Sequence, residues 1–194
     1  MTPKRITAKF FVTPDPTAAV DLDPFIGIFH RFIQEKSVEG LLIDVADYIH
    51  VPEGPGVILI GHDVDYGIDL VGGRAGLLTV RKRIEEGTLE EGLVDTLRKA
   101  LAAVKAVEAD SGSGLRFATD RVRLQIFDRL VAPNAEESFD AAKAEFEALA
   151  SRLFAGSLEA VRRVDAEDAR NALAVELVAG ETSDVDTLLG RLAG

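Results

Sequence analysis

The stretch LLIDVADYIH-VPEGPG-VILIGHDVDYGID, residues 41–69, decides how this chain is read. Two β-branched, apolar runs, Leu41 to Tyr48 and Val57 to about Tyr66, flank a loop of prolines and glycines. Strand-forming sequence on both sides of residues that favour turns predicts an antiparallel hairpin. The same stretch holds both tyrosines, two of the three histidines and five aspartates. Titratable groups are therefore concentrated in sequence that is otherwise apolar strand.

Working outward, Ile6 to Val12 predicts a first strand and Thr13 to Leu22 a Pro- and Asp-rich loop. Asp23-Pro24 starts a helix, because a carboxylate can cap the free N–H groups and proline has none to lose there. Phe25, Ile28, Phe29, Phe32 and Ile33 recur at helical spacing and give this helix an apolar face. After the hairpin, Val71-Gly72-Gly73-Arg74 makes a turn and Gly76 to Lys82 a third strand of the meander. Leu89 to Asp110 predicts the longest helix, its buried side lined by Leu93, Leu97, Leu101, Val104 and Val107. Ser111-Gly112-Ser113-Gly114 ends it and reads as a linker.

Beyond the linker, Val122, Leu124 and Ile126 alternate as in a strand, although Val122, Ile126 and Leu130 also fit a helix from Asp120. Glu136 to Phe154 predicts a helix, Leu158–Val164 and Leu173–Val178 two short strands, and Ser183 caps a last helix, Asp184 to Ala193. Hairpins outnumber parallel crossovers. The expected class is α+β, a mostly antiparallel or mixed sheet with helices packed on it. Residues 1–194 form one domain, or two β-α-β-β halves, 1–110 and 115–194, joined by the Ser/Gly linker.

The net charge of −11 repels a phosphate backbone, and only Arg81-Lys82-Arg83 and Arg162-Arg163 interrupt it. Nucleic acid is not expected as a partner, nor an anionic membrane. The absence of cysteine excludes disulfides and thiolate metal sites and suits a reducing compartment. The first residues lack the apolar core of a secretory signal, so a cytoplasmic location is expected. An open sheet edge would favour a homo-oligomer.

Pairing His50 with Val57 puts Val45 opposite His62 and Asp47 opposite Ile60. Asp47 and His62 are then diagonal neighbours on an apolar face, joined by the Tyr66 hydroxyl if the strand runs on. A carboxylate that fixes an imidazole tautomer makes a general base or an oriented metal ligand, and a slip of one residue would undo the pairing. Asp63 and His50 fall on the opposite face. A metal bound by His50, His62 and a carboxylate is conceivable, but no spaced metal motif supports it. His30 falls at the edge of its helix's apolar stripe. Arg74 in the Gly-rich turn and Arg129 in Phe127–Asn134 are candidate anchors for a substrate carboxylate. No nucleophile elbow, Walker or Rossmann pattern is present. The resulting expectation is a domain that binds a small ligand or a protein partner. The alternative is a small hydrolase, isomerase or lyase using Asp47, His62 and Tyr66, its metal and cofactors unspecified.

Overall fold

A computed structural model describes residues 2–14, 20–52, 54–84 and 86–193 of the chain. Residues 15–19 of the Pro- and Asp-rich loop and Glu53 of the hairpin loop lie outside the described residues. The fold is α+β, an eight-stranded antiparallel sheet with four α-helices among the described residues. In chain order the elements are β1 (Ile6–Phe11), α1 (Asp23–Glu35), β2 (Leu42–Tyr48), β3 (Gly56–Gly61), β4 (Val64–Asp69) and β5 (Gly76–Arg81). There follow α2 (Leu89–Ala109), β6 (Arg121–Ile126), α3 (Glu136–Phe154), β7 (Leu158–Val164), β8 (Leu173–Ala179) and α4 (Val185–Leu192).

The expected element order needs one correction. The apolar run after the Pro/Gly loop is not one strand but two, β3 and β4, folded back on each other at His62-Asp63. The segment around Val122 is strand, as its alternation indicates. At the start of α1 the N-cap is Leu22, with no side-chain cap, and the Asp23 N–H donates to Asp21 Oδ1 at 3.1 Å, so the expected carboxylate cap by Asp23 is not made. Helix α2 begins with a capping box in which Thr88 and Glu91 satisfy each other's backbone N–H groups.

The sheet order is β2-β3-β4-β5-β1-β6-β8-β7. Each half starts at the centre, crosses by a helix to an outer strand and returns by antiparallel strands. Thus β1 leads through α1 to β2 and back through β3, β4 and β5, while β6 leads through α3 to β7 and back through β8. The halves meet where β1 pairs with β6, Ile6 opposite Ile126 and Lys9 opposite Arg123. The Ser111–Gly114 segment is a tight turn: the buried Ser113 hydroxyl donates to the Val107 carbonyl at 2.6 Å.

Strand alternation gives the sheet two unlike faces. On one, Ile6, Ala8, Phe10, Leu77, Leu124, Val175 and Leu177 join a single core with Phe25 and Phe29 of α1, Leu97 and Leu101 of α2, Phe146 of α3 and Leu188 of α4. The other face belongs to Thr7, Lys9, Phe11, Leu78, Val80, Arg121, Arg123 and Glu176, none of which joins that core. Ile58, Ile60, Leu78 and Val80 on this bare face stay half-buried. Both outer strands carry a register shift, at Leu42/Asp44 in β2 and Leu158/Ala160 in β7. Such bulges discourage another strand from pairing with an edge.

Candidate functional site

The hairpin residues singled out in the sequence do not converge. In β2 and β3, Val45 lies opposite Leu59 and Asp47 opposite Val57, which displaces the expected register by three residues. An odd displacement exchanges the faces, and β3 ends before His62. Asp47 is exposed at the end of β2, where its carboxylate accepts the Ile49 N–H at 2.8 Å. His62 stands in the β3–β4 turn with its side chain 46% exposed. Its Nδ1 is 2.9 Å from Asp63 Oδ1, and its Nε2 is 2.9 Å from an Arg83 guanidinium nitrogen. An arginine can only donate, so Nε2 accepts and the proton sits on Nδ1, donated to Asp63. The histidine thus has an orienting carboxylate, but it is Asp63, and a guanidinium already occupies the lone pair a base or metal ligand would use.

Tyr66 is buried under the helices and donates to the Glu39 carbonyl at 2.9 Å. Burial first, and then the carboxylates of Glu39 and Asp95, push its hydroxyl above the ordinary tyrosine value. That makes it a poor proton donor in catalysis. His50 and His30 are exposed, and no group of three or more His, Asp or Glu side chains among the described residues could hold a metal ion. Arg129 is exposed and donates to the Arg170 carbonyl at 2.7 Å. Among the described residues it meets no hairpin carboxylate.

Arg74 is placed differently. Its guanidinium lies 3.8 Å from the centroid of the Phe11 ring, at the end of β1 on the bare face. Two more cations surround the same ring, Arg123 at 5.6 Å and Lys9 at 5.7 Å. Attraction to the ring's negative face holds each in place. Lys9 reaches across β5 to Asp69 of β4, Nζ to Oδ2 2.5 Å, with both side chains nearly buried. Gly76 of β5 makes this crossing possible: a Cβ there would lie 2.8 Å from Lys9 Cε and 2.6 Å from the Phe10 carbonyl oxygen. Burial depresses the Lys9 ammonium below its ordinary value, Asp69 opposes that, and Arg123 and Arg74 add to it.

One cross-strand line on this face runs Ala46, Ile58, Gly67, Leu78, Lys9, Arg123, Glu176, Arg162. Its first four positions are apolar and its last four charged. Lys9 directly faces Arg123, a like-charge pair that would destabilise the sheet if it stood alone. Glu176 compensates it, accepting from Arg123 and Arg162 at 3.0 Å each, and Asp165 accepts from Arg123 at 3.1 Å. Burial alone would raise the Glu176 carboxyl, but the two arginines outweigh it and hold the group below the usual range.

At the end of β1 and the start of β6 lies a cavity of 760 Å³. Phe11 and Arg74 line it from the bare face, Arg121 from the start of β6, Lys105 and Glu108 from α2, and Ser183 and Asp184 from the entry to α4. Among the described residues neither Arg74 nor Arg121 has a carboxylate partner. Sequence reasoning identified Arg74 but passed over Phe11, Lys9, Arg121 and Arg123. The available signal was RVRLQI (121–126), which aligns Arg121, Arg123 and Gln125 on one strand face with no acid among them.

No family model, curated protein or solved structure matches the chain, so the reading of this site rests on its own geometry.

Proposed function

We propose that this chain is a small-ligand-binding domain whose site is the cavity at the end of β1 and β6, with Arg74 and Arg121 receiving an anionic group of the ligand. One observation carries the reading. In a chain with net charge −11, two guanidiniums without acidic partners among the described residues line the same cavity. A guanidinium offers a planar fork of donors that matches carboxylate or phosphate, and stacking on Phe11 holds Arg74 in place in advance. The volume lies in the range usual for small-molecule sites, and that class of site combines apolar walls with a few fixed polar groups.

Calorimetric titration with a panel of small carboxylates and phosphate monoesters tests it. The expected result is saturable binding that the double variant Arg74→Gln, Arg121→Gln abolishes and Arg129→Gln leaves unchanged. Equal binding by the double variant, or no binding by any probe, overturns the proposal.

A second reading, a small enzyme centred on His62, has one observation in its favour: Asp63 orients the imidazole through Nδ1. It requires Arg83 to leave Nε2 when substrate arrives. Its test is hydrolase and lyase turnover that is lost in His62→Gln and kept in Asp47→Asn. Turnover unaffected by His62→Gln excludes it.

A further inference from the structure

The arginines and the carboxylates of the cavity enter it from different elements, with Lys105 of α2 among the carboxylates. Arg74 lies over Phe11 on the bare face, and Arg121 precedes the core residue Val122, so alternation sends it to that side too. The carboxylates Glu108, Asp184 and Asp186 come from α2, the entry to α4 and α4 itself, on the helix side, and Asp120 enters from the turn before β6. Most of these acids are already engaged. Asp184 caps α4, accepting the Thr187 N–H at 2.8 Å and its hydroxyl at 2.6 Å. Asp186 is held by Lys105 at 2.5 Å. Glu108 accepts the Phe117 N–H through Oε1 at 2.8 Å, which leaves its second oxygen free. The Asp120 side chain has no hydrogen-bond partner among the described residues; only its backbone carbonyl is used, by the Ala179 N–H.

The uncommitted groups of the cavity are therefore two guanidiniums on the bare face and one and a half carboxylates from the turn before β6 and from α2. A simple anion would satisfy the arginines and leave Asp120 facing added negative charge. A simple cation would do the reverse. A molecule with both charges satisfies both sets, and each match discriminates against the singly charged analogue through the unpaired group it would leave behind.

We infer that the ligand is a zwitterion of the amino-acid or short-peptide class, its carboxylate at Arg74 and Arg121 and its ammonium at Asp120 and the free oxygen of Glu108. This rests on the anion-binding reading of the same cavity and specifies its ligand. The volume of 760 Å³ accommodates two or three linked residues more naturally than one.

The experiment is calorimetric titration of the full chain with three matched probes: alanyl-alanine, N-acetyl-alanyl-alanine and alanyl-alanine amide. Inorganic phosphate and acetate serve as simple anions. The free dipeptide is expected to bind at least tenfold more tightly than either blocked form. Asp120→Asn is expected to remove that preference, weakening the free dipeptide and tightening the acetylated one because the unpaired carboxylate is gone, with Glu108→Gln as a second variant giving a smaller loss. Equal affinity for the free and acetylated dipeptides overturns the inference and leaves the anion site standing. So does binding of phosphate or acetate with no binding of any dipeptide. If no probe binds, the inference and the reading beneath it both fall. The probe comparison requires no variant, so a poorly folding substitution does not decide it.

Discussion

The two faces of the sheet use the same strands for different work. Phe10 and Phe11 are adjacent in β1 and almost equally buried, at 0% and 3% exposure. Phe10 belongs to the core beneath the helices, whereas Phe11 supports three cations on the side that no helix covers. The covered face is stabilised by apolar area removed from water, which is non-directional and tolerant of detail. The bare face is held by ion pairs and ring contacts that depend on particular partners. Stability therefore concentrates on one side and chemical specificity on the other.

The most severe way to break this comparison is to truncate the two phenylalanines. Phe10→Ala should cost about 3–5 kcal/mol, because neighbouring helices cannot collapse into the gap. Phe11→Ala should cost roughly half as much, since the cations over it can relax into solvent. Urea denaturation of both variants measures this, and equal losses would mean that the bare face is as much a core as the covered one.

Asp69→Asn should come next. It leaves Lys9 buried beside Arg123 without its counter-charge, at a cost of about 3 kcal/mol. Replacing both partners, Lys9→Met with Asp69→Leu, should restore stability to within about 1 kcal/mol of the parent. A double variant as unstable as the single one would show that the pair does more than satisfy itself.

The acid limb of stability sharpens the comparison further. The Glu176 carboxyl titrates below its ordinary 4.5 in the folded chain. Its contribution is therefore intact above that value and is lost as pH falls through the lower folded value. Denaturation measured from about pH 6 to about pH 3 should show a decline that Glu176→Gln flattens. An unchanged slope would remove Glu176 from the account. The smallest effect is expected at the hairpin. Asp47 lies opposite Val57, five strand residues from His62, or about 16 Å. Asp47→Ala and His62→Ala should thus be additive within about 0.5 kcal/mol in a double-mutant cycle. A larger coupling would restore the dyad that the sequence suggested.

Much of the fold could be read from apolar periodicity, because Phe25–Phe32 and Leu93–Val107 bury the residues their spacing selects. The break at His62-Asp63 could not. Two-residue hairpins usually announce themselves with glycine or asparagine at positive φ, and neither residue here has positive φ. The demanding position is instead Gly61, where a Cβ would lie 2.3 Å from the Val64 carbonyl oxygen, and Asp65 bonds the Gly61 N–H from the side. A glycine inside an apolar run looks the same whether the strand continues or folds back. The candidate site was harder still, since it joins residue 11 with residues 74 and 121. Only Arg74 stood in a stretch that drew attention for its own composition, and the stacking that gives it meaning is a tertiary contact.

The seam between β1 and β6 has a consequence for how the chain comes into being. Ile6 pairs with Arg81 on one side and Ile126 on the other, 45 residues apart in the chain. At translation rates of about 5–20 residues per second, its second partner arrives on the order of ten seconds later. Until then β1 is an edge strand that carries Lys9. A lysine is one of the devices by which exposed edges avoid association, so the charge that faces Arg123 in the finished sheet also guards the nascent one.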